Sequence, residues 1–94
     1  MRVLRKNPGD VWKTIEIEND LQALQEAVGG YIESVTFAED CCFIVDEEGR
    51  LKGLPYNMTV CGVDFVGPVL FVGVDGEDLT DVPTDLELIL RDFG

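Results

Sequence analysis

Apolar residues in this chain come in short runs separated by Gly, Pro, Asn and Asp, and the spacing inside each run predicts the element it forms. Residues 2–5 read as a strand. Asn7-Pro8-Gly9-Asp10 then signals a turn, because Pro fixes φ and Gly permits φ > 0. A second strand fits residues 11–17, where Ile15 and Ile17 share a face while Thr14, Glu16 and Glu18 point the other way. The two are expected to pair as a hairpin. Leu21, Leu24 and Val28 recur at helical spacing with Ala27 beside them, and Gln22, Gln25 and Glu26 lie opposite. With Asn19 or Asp20 as N-cap and Gly29-Gly30 as a left-handed stop, this predicts a helix of about two to three turns. Its apolar stripe must rest on a sheet.

Residues 31–37 alternate well enough for a half-buried strand, and residues 38–40 read as a turn. Cys41-Cys42-Phe43-Ile44-Val45 is apolar without alternation, which predicts a central strand covered on both faces. Asp46-Glu47-Glu48-Gly49 closes the next turn, and Leu51, Leu54 and Pro55 suggest a helical turn or a loop packed under the sheet. The second unbroken apolar run, residues 66–74, contains Pro68, which lacks an N–H and so belongs at the strand's beginning or at a bulge. Asp75-Gly76-Glu77-Asp78 is a further acidic turn. Residues 83–93 read as a helix with Val82, Leu86, Ile89, Leu90 and Phe93 on one stripe. Thr84 and Glu87 have capping-box spacing, with Thr80 as a rival N-cap. These elements predict an α+β fold: a small mixed, mainly antiparallel sheet of about five strands, one helix after the N-terminal hairpin and one at the C-terminus.

Ninety-four residues suit one globular domain over 1–94. No apolar run is long enough to span a membrane, and the first residues carry basic side chains without a following apolar segment, so a cytoplasmic protein is expected. Three cysteines, two of them adjacent, make a poor disulfide framework, and Cys61 reads as a small buried hydrophobe. Histidine is absent. That removes the usual general base near neutral pH, the Ser-His and Cys-His nucleophile pairs and any imidazole-ligated zinc site. An enzyme is therefore not expected, and neither is a cofactor or metal.

Charge changes the picture most. The chain carries 19 acidic against 7 basic residues, a net charge of −12, and four of the seven cations (Arg2, Arg5, Lys6, Lys13) fall in the first thirteen residues. Such a surface repels nucleic acid and anionic membrane and steers the protein toward basic partners. Simple solubility is the competing explanation of the acidity.

Individual motifs are weaker. Asp46, Glu47 and Glu48 could bind a cation or stand in for phosphates, but a tight turn favours the same residues for backbone reasons. Asp75, Glu77, Asp78 and Asp81 lack the spacing of an EF-hand loop, and no phosphate-binding glycine loop is present. Glu39 and Asp40 beside Cys41 and Cys42 disfavour a thiolate, so these cysteines read as packing residues. Trp12 and Tyr56 are the aromatics with the best claim to a surface contact, against the usual core role of such side chains.

GGYIE at 29–33, VDEEGRLKGLPYN at 45–57, VGPVLFVG at 66–73 and LTD at 79–81 give the chain a specific likeness. In this order they resemble an uncharacterised family of phages, plasmids and their bacterial hosts, domain of unknown function 3846. The resemblance covers nearly the whole chain. It implies a small α+β domain from a mobile genetic element and supplies no catalytic residues. In that setting the leading expectation is a protein-interaction domain that engages a basic host or phage partner, for example a defence or nucleic-acid-processing protein, as a DNA mimic would. Asp46, Glu47, Glu48, Asp75, Glu77 and Asp78 are the contact candidates. The alternative is a small-ligand or nucleotide sponge using Arg50, Lys52, Tyr56 and Asn57, which would require Arg2, Arg5 and Lys6 to converge with Arg50 and Lys52 on one site. Open sheet edges would also permit a homodimer.

Overall fold

The computed structural model describes residues 1–92. The chain forms β1 (Arg2–Lys6), β2 (Lys13–Glu16), α1 (Leu21–Val28), β3 (Ile32–Ala38), β4 (Cys41–Asp46), β5 (Tyr56–Val60), β6 (Val63–Val66), β7 (Val69–Asp75), β8 (Asp78–Thr80) and α2 (Thr84–Asp92). The main sheet has the order β2-β1-β7-β4-β3, with β8 pairing the end of β7, and its pairings are antiparallel. Its five-strand path is the set of strands expected from the pattern of apolar residues. The hairpin β5-β6 forms a separate two-stranded sheet.

Both faces of the main sheet are covered, which explains why β4 and β7 lack alternation. On one face Leu4, Cys41, Phe43, Val45 and Phe71 pack under the β5-β6 hairpin, Trp12 and α2. On the other, Val3, Cys42, Ile44, Leu70 and Val72 pack under α1 through Leu24 and Val28. Trp12 is thus a core residue, with its ring 6.4 Å from those of Phe43 and Phe71. Tyr56 instead stays exposed.

Local chemistry sets the ends of the elements. Asp20 caps α1 by accepting from Ala23 N, and Gly29 closes it in the left-handed conformation at φ 91°. Pro68 sits immediately before β7, where its missing N–H costs no ladder bond. Leu21, expected on the inner stripe of α1, lies exposed in its first turn.

Several expectations change. The segment after Pro55, for which the sequence pattern gives no strand, is a hairpin: β5 and β6 are joined by Cys61-Gly62, whose φ values of 49° and 79° are both positive, as a tight primed turn demands. Cys61 is therefore an exposed turn residue instead of a buried one. Leu51 is 87% exposed, so residues 51–54 do not pack under the sheet as a unit. Glu87 does not close a capping box. Its carboxylate accepts from Thr14 Oγ1 at 2.6 Å and lies 3.3 Å from Arg2 Nε, tying α2 to the β1-β2 hairpin. Leu86 and Leu90 face the core while Ile89 is exposed; Phe93 lies outside the described residues. No helix of the described residues is long and apolar enough to cross a membrane.

Candidate functional site

The two acidic turns stand at opposite ends of the sheet. In the β4-β7 pairing Cys41 lies opposite Gly73 and Ile44 opposite Leu70, so Asp46 and Asp75 sit at opposite ends of the ladder. Cys41 and Asp46 lie five residue steps apart along β4, roughly 17 Å. The six candidate carboxylates do not form one patch.

In the first turn, Asp46 is spent on structure. Its side chain is 1% exposed and pairs with Lys52 Nζ at 2.7 Å. Its other oxygen accepts from Glu48 N at 2.9 Å. The hydrogen bond from Lys52, helped by that from the Glu48 N–H and opposed by burial, holds the Asp46 carboxyl below its usual range. Asp46 was expected as a contact residue; burial makes it a clasp instead. Lys52 also donates to Gly29 O, which fastens the turn to the end of α1. Glu47 is exposed and Glu48 half-buried.

The second turn is arranged differently. Asp75, Glu77 and Asp78 are all exposed, and Asp75 and Asp78 are direct cross-strand partners. Like charges directly opposite one another repel. The β3-β4 turn comes to the same end of the sheet, where Asp40 O accepts from Val74 N at 2.7 Å, and this brings exposed Glu39 and Asp40 alongside. Among the described residues none of these five acids takes part in an ion pair. Glu39 and Asp40 were not picked out as contact candidates, because nothing local in the sequence places the start of β4 beside the end of β7.

A cleft of about 320 Å³ runs between the main sheet and the hairpin, with β3 and β4 on one side and β6 on the other. Val35, Val45 and Phe65 line it together with Glu33, Glu47 and Asp64. Arg50 lies at its mouth and donates to Asp64 O at 2.9 Å. A smaller hollow of about 120 Å³ continues along β3 past Phe37, Val60 and Val63.

The cations do not converge. Lys6 Nζ is bonded to Asn57 Oδ1 at 2.8 Å, Lys52 to Asp46, and Arg50 to Asp64 O. Arg2, at the other end of β1, donates to Val82 O at 3.0 Å and pairs with Asp81 and Glu87. Arg5 borders a shallow depression beside α1 with Ile17, Glu18 and Glu26. Asn57 is 7% exposed, and its amide donates to Lys6 O and Gly67 O, so it stitches the hairpin to the sheet. The Thr59 hydroxyl proton goes to Asp64 Oδ1 at 2.6 Å, which leaves Tyr56 OH to donate to Thr59 at 2.7 Å.

Cys41 and Cys42 are buried in the sheet. Burial, with the hydrogen bond and charge of Asp40 behind it, pushes the Cys41 thiol up to about 11, and burial also raises Cys42. Among the described residues no group of three or more Cys, Asp or Glu is placed to hold a metal ion.

A family model described as Domain of unknown function (DUF3846) matches residues 1–94, and the chain belongs to that family. No curated protein and no solved structure matches it.

Proposed function

We propose that this family member is a non-enzymatic interaction domain of a mobile genetic element or its bacterial host, acting in the cytoplasm on a basic protein partner. The observation that carries this reading is the end of the sheet where Glu39, Asp40, Asp75, Glu77 and Asp78 gather, exposed and free of ion pairs among the described residues. Opposed like charges in a short hairpin oppose its closure, and a cationic partner would relieve that repulsion on binding. A protein whose natural ligand is DNA is one such partner, since carboxylates standing where phosphates would be satisfy its lysines and arginines.

The test is affinity capture from bacterial lysate at low and high salt, with the wild type beside the triple variant Asp75→Asn, Glu77→Gln, Asp78→Asn. The expected result is a basic protein retained by the wild type at low salt, released at high salt and lost from the variant. Equal retention by the variant would remove the acidic end from the account.

A further inference from the structure

The main sheet ends on one side in β3, seven residues long, which among the described residues pairs as a strand with β4 alone. Natural sheets blunt such edges with short strands, prolines, lysines or a covering element. Here the strand IESVTFA has no proline and no lysine, and a single charge at Glu33. Its register irregularity, between Thr36 and Ala38, leaves the stretch from Ile32 to Thr36 regular. Along this edge runs the cleft toward β6, itself the outer strand of its hairpin on that side. Three of the exposed large apolar side chains, Leu51, Val63 and Phe37, border the same opening. An unpaired strand beside an apolar floor is the geometry by which sheets take up an extended peptide, the main chain pairing and alternate side chains entering the cleft.

We infer that the cleft between β3 and β6 receives an extended segment of a basic protein by strand addition to β3, its apolar side chains resting on Val35, Val45 and Phe65 and its cations reaching Glu33, Glu47 and Asp64. The inference rests on the proposed reading of the domain as a binder of basic proteins and adds where and how the partner is held. Charge selects this occupant over a second copy. Antiparallel pairing of two β3 edges would bring Glu39 and Asp40 of each copy toward Glu33 and Glu47 of the other, acid against acid. A lysine-bearing strand meets the same rim with opposite charge. Glu39 and Asp40, just beyond the end of β3, extend the attraction along the line of such a strand.

The test titrates isotope-labelled full-length protein at low salt with two synthetic peptides of about ten residues. One, the Lys-Val peptide, repeats Val-Thr-Lys-Thr, so that Val and Lys share the face turned to the cleft. The other, the Lys-Pro peptide, has Pro in place of each Thr, so it has the same charge but lacks half the backbone donors and cannot pair as a strand. The Lys-Val peptide is expected to shift the amide signals of Ile32, Ser34 and Thr36, whose N–H groups face the open edge, slow their hydrogen exchange and bind at least about tenfold more tightly than the Lys-Pro peptide. Val63→Lys, a change at an exposed rim position, is expected to weaken the Lys-Val peptide by about tenfold while the spectrum elsewhere is unchanged. Equal binding by both peptides overturns strand addition and leaves the basic-partner reading standing. Failure of both peptides to bind overturns both. Slow exchange at Ile32, Ser34 and Thr36 in the free protein, together with a dimeric mass, would make a second copy the occupant and also overturn the inference.

Discussion

The turns Asp46-Glu47-Glu48-Gly49 and Asp75-Gly76-Glu77-Asp78 have nearly the same composition and opposite roles. In the first, one carboxylate is buried, paired with Lys52 and bonded to the backbone of its own turn. In the second, three carboxylates face water, and two are set directly against each other. The difference comes from what each turn meets. Lys52 and the end of α1 close over the first, whereas the second stands beside Glu39 and Asp40 of the neighbouring turn. An acidic residue in a turn is therefore a structural clasp or a free charge according to its tertiary neighbours, and counting carboxylates does not separate the two.

The largest effect should come from breaking the clasp. Asp46→Ala removes the acceptor for Glu48 N and the partner of Lys52, and is expected to cost about 2 kcal/mol in urea unfolding, less than a fully buried pair because Lys52 is partly solvated. Glu47→Ala, one residue along and exposed, should change stability by less than about 0.5 kcal/mol. Similar losses from the two would erase the contrast.

The clasp can also be pushed open from the other side. A Cβ on Gly30 would stand 2.5 Å from Lys52 Nζ and 2.9 Å from Asp46 Oδ2. Gly30→Ala should therefore cost roughly 1 kcal/mol, and should cost much less in an Asp46→Ala background, where the carboxylate is gone. A double-mutant cycle measures this.

Acid titration provides a third contrast. The Asp46 carboxyl is depressed in the folded protein, so its contribution is fully present above the unfolded aspartate value of about 3.9 and is lost as pH falls through its lower folded value. Wild type should lose stability across that acidic window, measured as the fall in urea midpoint, and Asp46→Asn should show a shallower fall. Parallel curves would show that Lys52 does not hold the charge.

The smallest effect has the opposite sign. Asp78→Asn relieves the repulsion with Asp75 and is expected to raise stability by roughly 0.2–0.5 kcal/mol at low salt, with the gain shrinking as salt is added. A loss at low salt would mean that Asp78 holds the hairpin together.

The five strands of the main path, both helices, an N-cap at Asn19 or Asp20 and the Gly29 stop were legible in the chain, because each rests on local periodicity or a local capping residue. The β5-β6 hairpin was not. Its turn is Cys61-Gly62, and cysteine hides a signal that asparagine or aspartate would have announced. Burial of Asp46 and Asn57 was equally hidden, since Lys52, itself held by Gly29 O, reaches the one, and Lys6 and Gly67 the other, through contacts that only the tertiary fold creates. The grouping of Glu39 and Asp40 with Asp75 depends on β4 lying beside β7, a pairing between residues 26 to 32 positions apart in the chain. Apolar patterning predicted that both strands were buried, but not that they were neighbours.

Net charge and a localised site make different demands, and the most direct measurement sets them against each other. Binding of a lysine-rich protein would be measured at several salt concentrations for wild type and two charge-matched variants. One is Asp75→Asn, Glu77→Gln, Asp78→Asn; the other is Glu26→Gln, Asp85→Asn, Asp92→Asn, which removes three exposed acids from the helices. A loss of affinity and a shallower salt dependence confined to the first variant is the predicted result. Equal losses in both would show that the acidity acts only in bulk and would contradict the account.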